Sequence, residues 1–120
     1  MDTQEMFNKA VLGVVGQGCK SSDSEECKYR GDDGLKCAVG HILKDEYYKK
    51  WFEGCGMGND DVLEALSNSI GHEILPVEHS LLINLQEAHD QSSDDPDIFI
   101  SEFIEKCESL ASGQCLTMPK

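Results

Sequence analysis

The chain has 120 residues and a formal net charge of −13 at pH 7. That length allows one domain with a modest core, no window reaches the ~18 consecutive apolar residues of a membrane-spanning helix, and so acidic a surface repels nucleic acid. The charge is unevenly spread: residues 1–50 carry nine acids against eight bases, whereas residues 51–120 carry fourteen acids against Lys106 and Lys120. The N-terminal Met1-Asp-Thr-Gln-Glu5 is acidic where a secretory signal is basic and then apolar, so the expected location is cytoplasmic. The six cysteines include no Cys-x-x-Cys pair, and in a reducing cytosol they read first as free structural thiols.

Asp2 and Glu5 are spaced as a capping box ahead of Phe7, Val11, Leu12 and Val15, which share one helical face; the helix should run to about Val15 and stop at Gly16 and Gly18. Residues 19–26 are polar and turn-rich, a surface loop. Lys28-Tyr29-Arg30 and Leu35-Lys36-Cys37 flank Gly31-Asp-Asp-Gly34, whose Asp-Gly pair favours a tight turn, so a small β-hairpin is expected at about residues 27–37. Ala38 to Leu43 should form a brief helix in which Gly40 permits close backbone packing. Residues 45–52 form a second short helical piece, with Tyr48, Trp51 and Phe52 as core candidates. Gly54-Cys-Gly-Met-Gly58 lacks the Gly-Lys-Ser/Thr ending of a phosphate loop and reads as a linker. Asn59 caps a helix with the stripe Val62, Leu63, Leu66 and Ile70, ended by Gly71. Pro76 opens the next, with Val77, Leu81, Leu82, Leu85 and Ala88, ending near Asp90. Asp95 caps the last, which Pro96 starts; its buried face should be Ile100, Phe103, Ile104, Cys107 and Leu110 or Ala111. The expectation is a mainly α fold, one compact domain of five or six short helices with that one hairpin, spanning residues 1–120 with 112–120 as a frayed tail.

The run Tyr29-Arg-Gly-Asp-Asp-Gly-Leu-Lys-Cys-Ala-Val-Gly40, with the later Leu85-Gln-Glu-Ala-His-Asp90, resembles a family of small bacteriophage proteins. That family pairs a Tyr-Arg-Gly…Asp-Gly…Lys-Cys-Ala-(Ile/Val)-Gly core with a downstream Leu-Gln-x-Ala-His-Asp segment. The likeness covers roughly residues 7–105; members often place a proline before the Asp-Glu pair, where this chain has Lys44. It implies a phage or prophage origin and action in the cytoplasm of an infected bacterium, as an accessory or counter-defence protein that binds and modulates a host protein.

Four constellations carry candidate chemistry. Cys37 and His41 are four apart and share a helical face; with His89, and a carboxylate from Asp90, Asp32 or Asp33, they would make a cysteine hydrolase or transferase. Against this stands plain burial of the thiol. Cys27, Cys37 and His41 could instead hold zinc, with His89 or Cys19 as fourth ligand, although Cys-x9-Cys-x3-His is not a usual spacing and no cofactor is otherwise expected. Tyr29, Arg30 and Lys36 could receive a small molecule or nucleotide, the guanidinium meeting phosphate bidentately; the competing reading is an internal salt bridge from Arg30 to Asp90 or Asp33. Finally, residues 87–108 hold eight acids and one base. Glu87, Asp90, Asp94, Asp95, Asp97, Glu102 and Glu105 form a surface that could imitate a nucleic-acid backbone and enter a basic groove of a host protein, the alternative being a merely solvated face. The leading expectation is that binding role, with no direct nucleic-acid or membrane partner.

Overall fold

The computed structural model describes residues 2–19, 29–31, 34–56, 58–93 and 95–119. Side-chain caps and left-handed glycines set the helix limits. Asp2 accepts the Glu5 N–H at 2.8 Å and starts α1 (Thr3–Gln17), and Gly18, at φ 79°, stops it. Gly16 is thus inside the helix, which ends at Gln17, two residues beyond Val15, and of the two expected stops Gly18 is the one that acts. Cys37 caps α2 (Ala38–Ile42). Asn59 accepts from Asp61 and Val62 and starts α3 (Asp60–Ile70), which ends at Gly71, φ 90°. Pro76 opens α4 (Pro76–Asp90), and Asp95 caps α5 (Pro96–Gly113). Between α2 and α3 lie two 3-10 turns, Asp45–Tyr47 and Lys50–Phe52.

The helices surround one apolar centre. α1 packs most extensively on α2, and α4 lies against α1, α2 and α5. Met6, Phe7, Ala10 and Val14 meet Val39 and Ile42, Leu66, Leu81, Leu82 and Leu85, and Phe99, Phe103 and Cys107 in a single cluster. The radius of gyration, 13.2 Å, agrees with about 13.5 Å for one folded domain of this length.

Several expectations change, among them Leu12 on α1, which is exposed. No strand forms among the described residues of the 27–37 segment; Gly31 N–H donates to the Leu35 carbonyl at 2.7 Å, but the N–H groups of Tyr29 and Arg30 go to the Glu53 carboxylate instead of a facing strand. Residues 45–52 split into two tight turns that bury Phe52 but leave Trp51 52% exposed. On α5 the buried line is Phe99, Phe103, Cys107 and Ala111: the last three are as expected, Phe99 takes the place of Ile100, and Ile100, Ile104 and Leu110 are half-buried. Val77, expected in the core, is exposed. The C-terminal tail folds back onto α1: Gln4 Nε2 donates to the Thr117 carbonyl (2.8 Å), Thr117 N–H donates to Gln4 Oε1 (3.0 Å), and Leu116 and Met118 pack against the core.

Candidate functional site

The segment singled out by sequence, Tyr29 to His41, lies between α1, the 45–55 segment and α4. Gly40 explains how closely it packs: a β-carbon there would stand 2.4 Å from the Tyr29 carbonyl oxygen. That close approach brings Arg30 over α2, where each of its five N–H groups meets an acceptor. Nη1 donates to the carbonyls of Tyr29 (3.0 Å) and Gly40 (2.8 Å), Nη2 to the carbonyl of Leu43 (2.7 Å) and to Asp45 (2.8 Å), and Nε to Asp45 (3.0 Å). The guanidinium also lies over the Tyr48 ring, 4.9 Å from its centroid. The hydrogen bond from Arg30, with the Lys36 and Arg30 charges, holds the exposed Asp45 carboxyl below its usual range. Arg30 is therefore a pin with Asp45 as its carboxylate partner in place of the expected Asp90, while Asp33, the other expected partner, lies outside the described residues. Its donors are already committed, which removes the bidentate fork a bound phosphate would use.

Two further side chains complete this hub, and sequence reasoning missed both. Glu53 accepts from the N–H groups of Tyr29 and Arg30 (2.9 and 3.0 Å) and from the Tyr48 hydroxyl (2.5 Å). Burial and the neighbouring Glu53 carboxylate push the Tyr48 phenol up to about 12. Tyr29 is buried and donates its hydroxyl to the Cys55 carbonyl at 2.6 Å, and burial likewise raises its pKa. Gln17, at the end of α1, donates to the carbonyls of Lys36 (2.7 Å) and Cys19 (3.0 Å) and accepts from the Lys36 N–H (3.1 Å). Nothing local marks Glu53 or Gln17 as a hub, because the Tyr29, Arg30 and Lys36 groups they hold lie roughly twenty residues away in sequence.

The cysteine and histidines sit beside this hub. Cys37 is 1% exposed and its sulfur accepts the Gly40 N–H at 3.3 Å. Burial pushes the thiol up to about 12, and the Gly40 bond offsets only part of that. A nucleophilic cysteine needs the opposite shift. His41 turns Nε2 to Gln17 Oε1 at 2.9 Å. Since that oxygen also accepts the Lys36 N–H, Nε2 carries the proton. The His41 ring lies against α1 at Gly13, where a β-carbon would come within 2.4 Å of it. Burial, with the nearby Lys36 and Arg30 charges, lowers the imidazole to about 4, so it is neutral at pH 7. His89 is fully buried, 3.0 Å from the Asp90 carboxylate through Nδ1 and edge-on to Phe99 at 5.6 Å.

For zinc, Cys27 lies outside the described residues. Cys37 and His41 are engaged by Gly40 and Gln17, and among the described residues no three histidine, cysteine or acidic side chains gather to hold a metal. Asp32 and Asp33 also lie outside them.

Of the acidic set, Glu87, Asp90, Asp95, Asp97 and Glu105 are exposed, Glu102 is half-buried with Lys106 4.0 Å away, and Asp94 lies outside the described residues. Two of these carboxylates have structural work. Asp95 accepts the Asp97 N–H at 3.0 Å as the α5 cap, and Asp90 accepts from Gln86 at 2.9 Å besides pairing with His89. Gln86 also accepts the Val39 N–H at 3.2 Å, satisfying an otherwise orphan donor at the start of α2. That bond joins the Tyr29–Gly40 run to the Leu85–Asp90 run, so the two sequence blocks meet in space. Compared with protein-family models, curated proteins and solved structures, the chain finds no match.

Proposed function

We propose that this chain is a small phage-encoded accessory protein that binds and modulates a basic host protein inside the infected bacterium, using its acidic surface for recognition. The observation that carries this reading is the distribution of charge. Glu87, Asp97, Glu105 and Glu108 stand exposed along α4 and α5, and Lys106 is the one base in residues 87–108. Such a field speeds encounter with a basic surface and disfavours nucleic acid. The competing chemistries draw little support from the hub, where Cys37 is a buried, poorly ionised cap and Arg30 is saturated by internal acceptors.

Asp95 is the α5 cap, so the test is better made on acids with no structural role. The wild-type chain and a Glu87→Lys, Glu105→Lys, Glu108→Lys variant would be immobilised and exposed to lysate of infected bacteria. Basic proteins retained by the wild type at low salt should elute as salt rises, and the variant should lose them. Equal retention by the two, or retention indifferent to salt, would overturn the reading.

A further inference from the structure

The outer face of α3 is a second acidic surface, and it borders a cleft. α3 buries Val62, Leu66 and Ile70, which leaves Asp61, Glu64 and Asn68 along its outer side. A cleft of about 210 Å³ lies between this side and the two 3-10 turns, walled by Trp51 and Tyr47 and rimmed by Glu46, Asp61 and Glu64. The volume is too small for a drug-sized ligand, which takes roughly 300 Å³ or more, and suits one long side chain. A second depression shares Glu64 and Asn68 with the first and continues to His72 and Glu73. A third shares His72 and reaches Leu75, Val77, Asp2 and Glu5. The shared residues join the three into one run, which begins along α3 and passes His72 to the starts of α1 and α4.

Its ends are apolar and its length is acidic. Trp51 is 52% exposed at one end, and Leu75 and Val77 are 53% and 57% exposed at the other. The basic residues along it are Lys49 and His72, and His72 is already taken by Glu78 at 2.7 Å. Trp51 stands edge-on to Phe52, ring centroids 4.9 Å apart, which holds the indole in place.

We infer that this groove seats a basic segment of a partner protein, with an arginine or lysine over Trp51 between Glu46, Asp61 and Glu64, and an apolar side chain against Leu75 and Val77. The inference rests on the reading that the partner is basic, and adds where it docks. Eleven helical residues span about 16 Å, the length of roughly five extended residues, so a short linear segment is enough. A guanidinium or ammonium fits the aromatic-plus-carboxylate end, where cation–π attraction and charge act together. α5 then meets the body of the partner, and the α3 groove takes one short segment of it, so a peptide standing for that segment alone does not depend on α5.

Trp51 is the single tryptophan and reports on its own cleft. The probe is a short synthetic peptide with arginines through its middle and leucine at one end, titrated into the full chain and followed by tryptophan emission and calorimetry. Serine-for-leucine and glutamate-for-arginine versions serve as controls. Binding should saturate, weaken with salt, and fall at least tenfold in Glu64→Lys and in Trp51→Ser, both checked for folding by circular dichroism. It should change less than twofold in Glu105→Lys, Glu108→Lys. Affinity unaffected by the α3 substitutions, or lost equally with the α5 pair, would overturn the groove while leaving a basic partner in place. A serine version that binds as tightly would remove the Leu75–Val77 end. No preference for the arginine peptide over the glutamate one would overturn both the groove and the acidic-surface reading.

Discussion

Gly40→Ala is the sharpest test of the hub, because two known effects oppose each other there. Alanine favours a helix over glycine by about 1 kcal/mol, so propensity alone predicts a more stable protein. Against this, the new methyl would meet the Tyr29 carbonyl oxygen at 2.4 Å and would also crowd Arg30 Nη1 and Lys36 Cβ, each at 3.3 Å. Ordinary contact needs about 1 Å more room than the carbonyl allows. Tyr29 cannot easily yield it: its N–H is held by Glu53, its hydroxyl by the Cys55 carbonyl, and its carbonyl by Arg30. Relief therefore breaks at least one hydrogen bond to a charged group, about 1.5–3 kcal/mol, on top of an overpacking cost of about 1–3 kcal/mol. After the propensity gain is subtracted, the variant should be about 1.5–5 kcal/mol less stable. Urea unfolding followed by far-UV circular dichroism reads this as a lower midpoint with unchanged slope. A midpoint equal to or above the wild type would refute the packing argument.

Three other outcomes follow from the same geometry. Arg30→Lys offers three donors where five acceptor bonds exist, so it should lose about 2–4 kcal/mol in urea unfolding, and wild-type stability would dismiss the pin. His41 is held neutral in the fold at about 4, whereas an unfolded histidine takes its proton near 6.5. Between those values the unfolded chain binds more protons, so stability should fall as pH drops from about 6.5 to 4, then level for this group; His41→Gln should flatten that part of the urea-midpoint profile, and an unchanged profile would count against the assignment. Burial pushes the Cys37 and Cys107 thiols up to about 12, and Cys115 is exposed. Iodoacetamide at pH 8, read peptide by peptide by mass spectrometry, should label Cys115 in the folded protein and spare Cys37 and Cys107 until denaturant is added. Labelling of Cys37 as fast as Cys115 would reopen the nucleophile.

The helices were legible wherever a local signal existed. Asp2, Asn59 and Asp95 cap as their sequence positions indicate, and Pro76 and Pro96 stand at first helical turns. Phase was harder on α5, because Ile98-Phe-Ile100 is apolar on every side and periodicity cannot choose among three adjacent residues. The choice is tertiary: Phe99 is the one that meets His89 and stacks on Phe103. The Asp-Gly turn signal was real as chemistry, but a hairpin needs a partner strand, and the Glu53 carboxylate claims the N–H groups such a strand would have used. Within the candidate site, Arg30 and Gly40 were legible as structural devices, while Asp45 and Glu53, which hold Arg30, and Gln17, which holds Lys36 and His41, were not, since no spacing rule links residues so far apart. The α3 groove was hidden for another reason: it depends on Trp51 being outside, and sequence alone places tryptophan inside.

The way Arg30 is held has a bearing on how this protein can drift. Three of its bonds end on main-chain oxygens, at Tyr29, Gly40 and Leu43, and a main-chain oxygen survives any substitution of the residue that bears it. Leu43 can therefore exchange for another apolar side chain without altering the anchor, and the exposed Asp45 can be lost with most of the lattice of bonds intact. The burden of invariance falls on the single arginine of the chain. Distant descendants should diverge freely at Leu43 and Asp45 while keeping that one guanidinium, so a lone arginine beside a tightly packed glycine would outlast nearly every other recognisable feature.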